Sequence, residues 1–332
     1  MNNLSVAIII PVKHFNVNLK KCIEECLKLD YKSFEIIIFP DEPFENFKNK
    51  IKSIPTGPMG PAEKRDMALK HSQADIFAFI DDDAYPEHDW LINAVKNFQD
   101  SKVAAVGGPS ITPLESPVLA HASGHIFSSV FISGPYTYRY LPQKKMQVND
   151  YPSCNFIVRR SIFEKLGGFD SSFYPGEDTK LCLDITKKLG MKIIYDPDVL
   201  VYHFRRNLGP AHFRQVANYA LHRGYFAKKF PETSRKIVYF IPSLFVLFVL
   251  IGVVTACLNT TVRSIYSFCL LLYFSIIFVS VLWSLYKDKQ LKIVKKIFLL
   301  IPIVSGMFFT HICYGFFFLK GICSKKMKEE EN

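Results

Sequence analysis

The sequence predicts an α/β domain with a mostly parallel sheet and flanking helices, followed by a C-terminal region of apolar helices. Three observations carry this reading. Short β-branched runs that end in proline, glycine or acids alternate with segments whose apolar residues recur at helical spacing, the pattern of a sheet wound with helices. One such run, Ile76 to Ile80, stops abruptly at Asp81-Asp82-Asp83. Beyond residue 236, three long runs without a charged side chain follow one another, each about long enough to cross ~30 Å of hydrocarbon as a helix.

Taken in order, Val6-Ala-Ile-Ile-Ile-Pro11 is a β-branched run stopped by proline and reads as the first buried strand. Leu19, Cys22, Ile23, Cys26 and Leu27 lie at helical spacing, and Phe34 to Phe39 forms a second strand ending at Pro40-Asp41-Glu42. Strand, helix, strand in about thirty residues is a right-handed crossover unit, which places Asp41 at the sheet edge that also carries the acidic triplet. Thr56 to Pro61 is a Gly/Pro loop, and Glu63 to His71 reads as a helix. Helix N-termini attract anions, and Lys64 and Arg65 add positive charge there. After the acidic strand come a helix from Trp90 to Phe98 and a strand from Val103 to Gly107. From Pro109 to Pro152 no period holds, so this stretch is expected to be a long functional loop. Gly167-Gly-Phe-Asp170 and Gly176-Glu-Asp178 then lead into a helix with apolar positions at Leu181, Leu183, Ile185 and Leu189. Lys192 to Tyr195 and Leu200 to Tyr202 read as further strands, with His203, Arg205 and Arg206 just beyond.

The acids suggest chemistry. Ligands of open α/β sheets bind outside the carboxyl ends of the strands, where the triplet stands. Side chains alternate along an extended chain, so Asp81 and Asp83 share a side and Asp82 points away. Two carboxylates with phosphate oxygens and water make an oxygen-rich site for Mg²⁺ or Mn²⁺. Glu177 and Asp178 fall in the first turn of their helix, where one acid is enough to favour the helix start. The second, in a chain that also carries the triplet, points to proton transfer. A histidine at a strand end beside two arginines suits a metal or a phosphate.

The formal net charge of +11 suits phosphate-bearing substrates, nucleic acid or an anionic membrane. The basic residues cluster beside apolar runs, which favours the membrane and leaves nucleic acid aside. None of the eight cysteines forms a C-x-x-C pair, so a zinc or redox site is not expected. Val6 to Ile10 is too short, and lacks the basic leader, for a secretory signal, so the soluble part is expected in the cytoplasm. Phe213, Val216, Ala217, Ala220 and Leu221 repeat at three and four, with His212, Arg214, Gln215, Asn218 and His222 opposite. This is an amphipathic helix, expected on the membrane surface. The apolar runs are Ile237 to Leu258, Ile265 to Tyr286 and Ile297 to Leu319. Arg235, Lys236 and the lysines from Lys287 to Lys296 place two connections on the cytoplasmic side. A spanning third run would carry Lys320, Lys325, Lys326 and Lys328 outward, whereas a break at Pro302 and Gly306 would return the tail; both stay open.

The Ile-Ile-Ile-Pro-Val strand end, Asp41, Arg65 in Glu-Lys-Arg-Asp-Met-Ala, Phe-Ile-Asp-Asp-Asp, Gly-Gly-Phe-Asp and Gly-Glu-Asp stand in order. Together they resemble a family 2 glycosyltransferase of the GT-A (nucleotide-diphospho-sugar transferase) fold, and the chain is similar to membrane-anchored bacterial enzymes that build surface polysaccharide. The likeness covers roughly residues 4 to 235. It implies a nucleotide-sugar donor, a UDP-sugar in the first instance, a divalent Mn²⁺ or Mg²⁺, and a lipid-linked acceptor. Donor contacts would come from Pro11, Asp41, Arg65, Asp81, Asp82, Arg205 and Arg206, metal ligands from Asp81, Asp83 and His203, and acceptor contacts from Asn155 and Gln215. Asp178 would be the base, with Glu177 beside it. The chain departs from the family at Pro40-Asp41-Glu42-Pro43, where Asp-Asp-Gly-Ser is usual, and at Lys64 and Asp66, where Ala and Asn are more common. Gln215-Val-Ala-Asn-Tyr219 lacks the Arg-Trp of processive synthases, which points to transfer of one sugar.

The expected layout is a catalytic domain over 1–205, a surface helix and basic linker over 206–236, a membrane region over 237–320 and a charged tail over 321–332. The activity implied is inverting sugar transfer, through a transition state with oxocarbenium character, at the cytoplasmic face of the cell membrane. A processive polysaccharide synthase and a non-catalytic sugar-binding scaffold of the same fold are the alternatives.

Overall fold

The computed structural model describes residues 4–44 and 50–327. Of the expected tail over 321–332, residues 328–332, Lys328 among them, lie outside the described residues. In chain order the first elements are β1 (Val6–Pro11), α1 (Val17–Cys26), β2 (Phe34–Phe39), β3 (Ile51–Ser53), α2 (Pro61–Asp66), α3 (Ala68–His71), β4 (Ile76–Ile80), β5 (Ala84–Pro86) and α4 (Trp90–Asn97). There follow β6 (Val103–Gly107), β7 (Ser110–Ile111), α5 (Val118–Ser128), α6 (Val130–Ser133), β8 (Met146–Val148), β9 (Asn155–Arg159), α7 (Arg160–Leu166) and α8 (Glu177–Leu183). The chain closes with β10 (Lys192–Tyr195), β11 (Val201–His203), α9 (Pro210–Lys229), α10 (Pro231–Ser234), α11 (Ile237–Leu258), α12 (Thr260–Lys287) and α13 (Ile293–Cys323). These form two compact units: residues 4–111 with Tyr138–Phe204, and Thr112–Thr137 with Arg205–Met327.

The first unit is built on an eight-stranded sheet in the order β3-β2-β1-β4-β9-β6-β10-β8. Every residue of β1 is buried because the strand lies between β2 and β4, parallel to both. Fully burying such aliphatic side chains stabilises the fold by about 1.5–3 kcal/mol each, which is why the run needs no alternation. β9 is antiparallel to both its neighbours, β4 and β6, so the sheet is mostly, not wholly, parallel. A second, three-stranded sheet pairs β11 with β5 and β7.

Several expectations are corrected here. The helix expected from Glu63 begins at Pro61, since proline suits the first helical position and the Glu63 carboxylate accepts the Gly60 N–H at 2.7 Å. The stretch from Pro109 to Pro152 is not a long loop: it contains β7, α5, α6 and β8. Its helix α5 buries mainly small and polar residues, Ala120, Ala122 and Ser123 with His121, Ile126 and Phe127, and so lacks a strong apolar period.

In the second unit, α11, α12 and α13 are each long and apolar enough to cross a membrane. Of the two alternatives left open for the third run, the break at Pro302 and Gly306 is not seen: α13 runs unbroken for 31 residues. α9 packs along α13 through Ala220, Ala227 and Phe318. A Cβ at Gly224 would strike the Phe318 carbonyl, and one at Gly321 the Leu221 carbonyl, so glycine permits this close approach. The faces of α9 are corrected as well. His212 and His222, expected on its polar side, are buried, and His212 is held between Ser123 Oγ at 2.8 Å and Thr310 Oγ1 at 3.1 Å.

Candidate active site

The acidic triplet sits directly after β4, at the carboxyl edge of the sheet. Asp83 meets His203 because β5 starts right after the triplet and pairs antiparallel with β11, which puts His203 opposite Ala84. His203 Nε2 lies 3.0 Å from Asp83 Oδ1. One ligand atom from each of Asp81, Asp83 and His203 falls within 4.8 Å of the others. Two carboxylate oxygens and an imidazole nitrogen suit Mn²⁺ or Mg²⁺. Asp82 and Asp83 lie in a turn closed by the Ala84 N–H donating to Asp81 O, not in extended chain, and Asp82 accepts a 2.7 Å hydrogen bond from Asn16 Nδ2. Burial, helped by Asp83 and Asp81, pushes the Asp82 carboxyl up to about 6 against the pull of Asn16.

Arg65 joins this edge to the start of α8. Its guanidinium is 3% exposed and donates to Asp81 Oδ1 at 2.6 Å and to Glu177 Oε1 at 3.5 Å. The shorter contact decides where the positive charge is spent. Burial pushes Glu177 up to about 8, with Asp178 adding to the rise, and Arg65 only partly offsets this. Glu177 Oε2 is buried without a hydrogen-bond partner. At neutral pH Glu177 therefore keeps its proton. Asp178 is half-buried, and its two oxygens accept the N–H groups of Thr179 at 2.6 Å and Ser153 at 3.3 Å, which fix the carboxylate's direction.

Both departures from the family pattern find partners. Lys64 is 2% exposed, and a buried ammonium must be paired: it donates to Val12 O at 2.6 Å and forms an ion pair with Asp41. That hydrogen bond holds the Asp41 carboxyl below its usual range. Asp66 accepts the Phe169 N–H at 2.8 Å, tying α2 to the Gly167-Gly168-Phe169 turn. A Cβ at Gly168, whose φ is +85°, would collide with that carboxylate. Burial raises Asp66 to about 7. Lys64 and Arg65 are thus turned inward, not toward an anion at the start of α2.

Pro11 ends β1 opposite Phe39, buried beside the Asp41 turn. Asn155 is corrected: it pairs with Ile80 in the sheet and is wholly buried, so it faces no acceptor. Its Nδ2 donates to Gly108 O at 2.7 Å and Val199 O at 2.8 Å, and its Oδ1 accepts from Trp90 Nε1 at 2.9 Å. It braces the turns behind the site. Arg205, Arg206 and Gln215 belong to the second unit. Sequence reasoning missed Asn16, although its place before α1, where its Oδ1 caps the N–H groups of Asn18 and Leu19, was a signal.

Residues 7–167 match the family model described as Glycosyl transferase family 2. This part of the chain is a family 2 glycosyltransferase domain. A pre-mycofactocin glycosyltransferase of Mycobacterium tuberculosis is 34% identical over 150 residues, 44% of this chain and 30% of that protein, so the chain spans less than a third of that relative's length. A Methanococcus voltae relative, a dolichyl N-acetyl-alpha-D-glucosaminyl phosphate 3-beta-D-2,3-diacetamido-2,3-dideoxy-beta-D-glucuronosyltransferase, is 23% identical over 331 residues, covering 94% of this chain and 96% of its own. The mannosyltransferase PcManGT from Pyrobaculum calidifontis, solved in complex with GDP-Man and Mn²⁺, superposes with a TM-score of 0.60 at 16% identity, over 92% of this chain and 87% of its own. That likeness identifies the fold of the family 2 domain as GT-A.

Proposed function

We propose that the chain is an inverting glycosyltransferase that moves one sugar from a nucleotide-diphospho-sugar, a UDP-sugar in the first instance, to a hydroxyl of a polyprenyl-phosphate-linked acceptor. The observation that carries this is the convergence of Asp81, Asp83 and His203 at the carboxyl edge of a family 2 domain. Those three side chains would hold the Mn²⁺ or Mg²⁺. A bound cation supplies Lewis-acid stabilisation of the charge that develops on the departing diphosphate.

The chain's own residues divide the remaining work. Arg65 holds Asp81 in place. Asp178, oriented by two N–H groups, takes the proton of the attacking hydroxyl, a contribution worth ~10²–10⁴ in rate. Glu177, carrying its proton, leaves Asp178 as the ionised member of the pair. Direct attack by the hydroxyl in one displacement inverts the anomeric carbon. The lipid-linked acceptor is supported by the name of the full-length Methanococcus voltae relative and by the apolar helices α11 and α12. The same reading puts the reaction in surface glycan assembly at the cytoplasmic face of the cell membrane.

The test is nucleotide release by the detergent-solubilised full chain, screened over UDP- and GDP-sugars with polyprenyl-phosphate-linked acceptors. Activity is expected to need Mn²⁺ or Mg²⁺ and to give a product of inverted anomeric configuration by NMR. Full activity in EDTA removes the metal, and a retained configuration removes the single displacement.

A further inference from the structure

Helix α13 carries a charge conflict. Lys292, Lys295 and Lys296 flank its start and Lys320, Lys325 and Lys326 its end, so a spanning α13 would place one basic cluster on each side of a membrane. Lysine and arginine are concentrated on the cytoplasmic side of spanning proteins. The conflict is specific to α13. The hairpin of α11 and α12 turns through Asn259 alone, begins after Lys236 and ends at Lys287, so both of its basic ends lie on one side if it spans twice.

The extent of burial distinguishes α13 from that hairpin, on which it packs through Ser243 Oγ, donating to Gly315 O at 3.0 Å, and through Tyr273 OH, 2.8 Å from His311 Nδ1. In the most apolar window, 11% of residues are buried in each of α11 and α12 against 33% in α13, so α13 is the more enclosed of the three. The cover on α13 runs along its length: Leu299, Ile303 and Met307 pack against Ile277, Val281 and Leu285 of α12, and polar contacts from other segments flank this apolar seam. Near its start, Lys295 Nζ donates to Leu114 O at 3.3 Å and Ser116 O at 3.1 Å. Ile126 of α5 packs at Gly306, and His311 Nε2 lies 2.8 Å from Phe131 O. From there α9 takes over, through His212 at Thr310 and on to Lys228 Nζ, which donates to Ser324 O at 2.5 Å. The side of α9 left uncovered carries Arg214, Asn218, Lys228 and Lys229, all exposed. A spanning α13 would drag these groups toward the hydrocarbon, where charged side chains are excluded. Meanwhile Val294, Ile297, Phe298, Ile301, Phe309 and Phe316 stay exposed at helical spacing on α13 itself. One stripe of a long helix is thus covered by neighbouring helices, among them the polar-backed α9, and the other is apolar and bare, with lysines at both ends. That is the pattern of a helix lying in a bilayer interface beside acidic headgroups.

We propose that α13 does not cross the membrane. It lies in the plane of an anionic bilayer's headgroup region with its bare stripe in the acyl boundary, and the chain is anchored by the two-span hairpin of α11 and α12. Both basic clusters then stay on one side.

Sidedness and depth of the full-length protein in phosphatidylcholine/phosphatidylglycerol vesicles test this. Native Cys257, near the hairpin tip, and Cys323, at the end of α13, are both exposed and serve as reporters. A membrane-impermeant maleimide is applied before and after permeabilisation to Cys257→Ser, to Cys323→Ser, and to Gln290→Cys in a background lacking both native reporters. Cys323 is expected to show the same protected fraction as the cysteine introduced at 290, and Cys257 the complementary fraction. Cys323 matching Cys257 instead overturns the proposal. Spin labels placed singly at Val294, Ile301, Phe309 and Phe316 give the second readout. Uniformly shallow depth is expected, and a depth maximum between Ile301 and Phe309 overturns an in-plane helix even if sidedness agrees.

Discussion

The first unit holds two acidic clusters of the same residue types that differ in almost everything around them. At the end of β4, Asp81 and Asp83 are half-open and converge on His203, and Asp81 is paired with the Arg65 guanidinium. At the start of α8, Glu177 is sealed from solvent and holds its proton to about pH 8, while Asp178 is braced by two backbone N–H groups. Surroundings therefore assign the roles. Converging carboxylates favour a cation, whereas burial beside another acid keeps the Glu177 carboxyl neutral, and on the proposed reading the base is Asp178. Arg65 touches both clusters and favours the first by almost an ångström.

The comparison is broken most directly at the metal end. Asp83→Ala should abolish transfer and weaken donor binding, because it removes an oxygen ligand of the proposed cation site and the carboxylate that faces His203. Residual activity that still responds to Mn²⁺ would move the cation site elsewhere. Next in size, Asp178→Asn keeps shape and hydrogen bonding but cannot take a proton, so turnover should fall by roughly 10²-fold or more with donor affinity and melting temperature nearly unchanged. Loss of all three together would reduce Asp178 to a helix cap.

Much of this contrast was legible in the sequence. The triplet, Glu177-Asp178 and His203 lie at element ends marked by β-branched runs and turn residues, and β1 and β4 were read at their observed bounds, whereas β9 was not read as a strand. What was not legible depends on the third dimension. The three-residue strands β3, β5 and β8 are too short to show a period, yet β5 is what carries His203 to Asp83. Lys64 and Asp66 looked like departures from the family because their partners, Asp41 and the Phe169 N–H, are 23 and 103 residues away. Asn155 resembled an acceptor contact, but its amide is wholly buried and spent on Gly108 O, Val199 O and Trp90 Nε1, partners distant in sequence.

Glu177→Gln sharpens the other end of the comparison. A glutamine reproduces a carboxyl that is already neutral at pH 7, so turnover should drop less than tenfold, and any rate limb near pH 8 should vanish from the profile. A fall as deep as that of Asp178→Asn would mean that Glu177 works as an anion, and the division of roles between the two α8 acids would fail.

The smallest effect tests burial alone, away from both clusters. Asp66 sits against Gly168 with its carboxyl raised to about 7 by burial, whereas an unfolded aspartate titrates near ~3.9. Between those values the folded chain keeps a proton that the unfolded chain has released, so this group makes the protein progressively less stable as pH rises from about 4 to about 7, with no further change above. Asp66→Asn removes that slope while its amide oxygen still accepts the Phe169 N–H. Asp82 and Glu177 are raised by burial in both proteins, so their contributions cancel in the difference. Thermal melts of wild type and variant in detergent between pH 4.5 and 7.5 should show the variant gaining relative stability with rising pH, at unchanged turnover under saturating donor. A pH-independent gap would show that Asp66 is ionised in the folded chain throughout that range, and that burial does not set protonation at this turn.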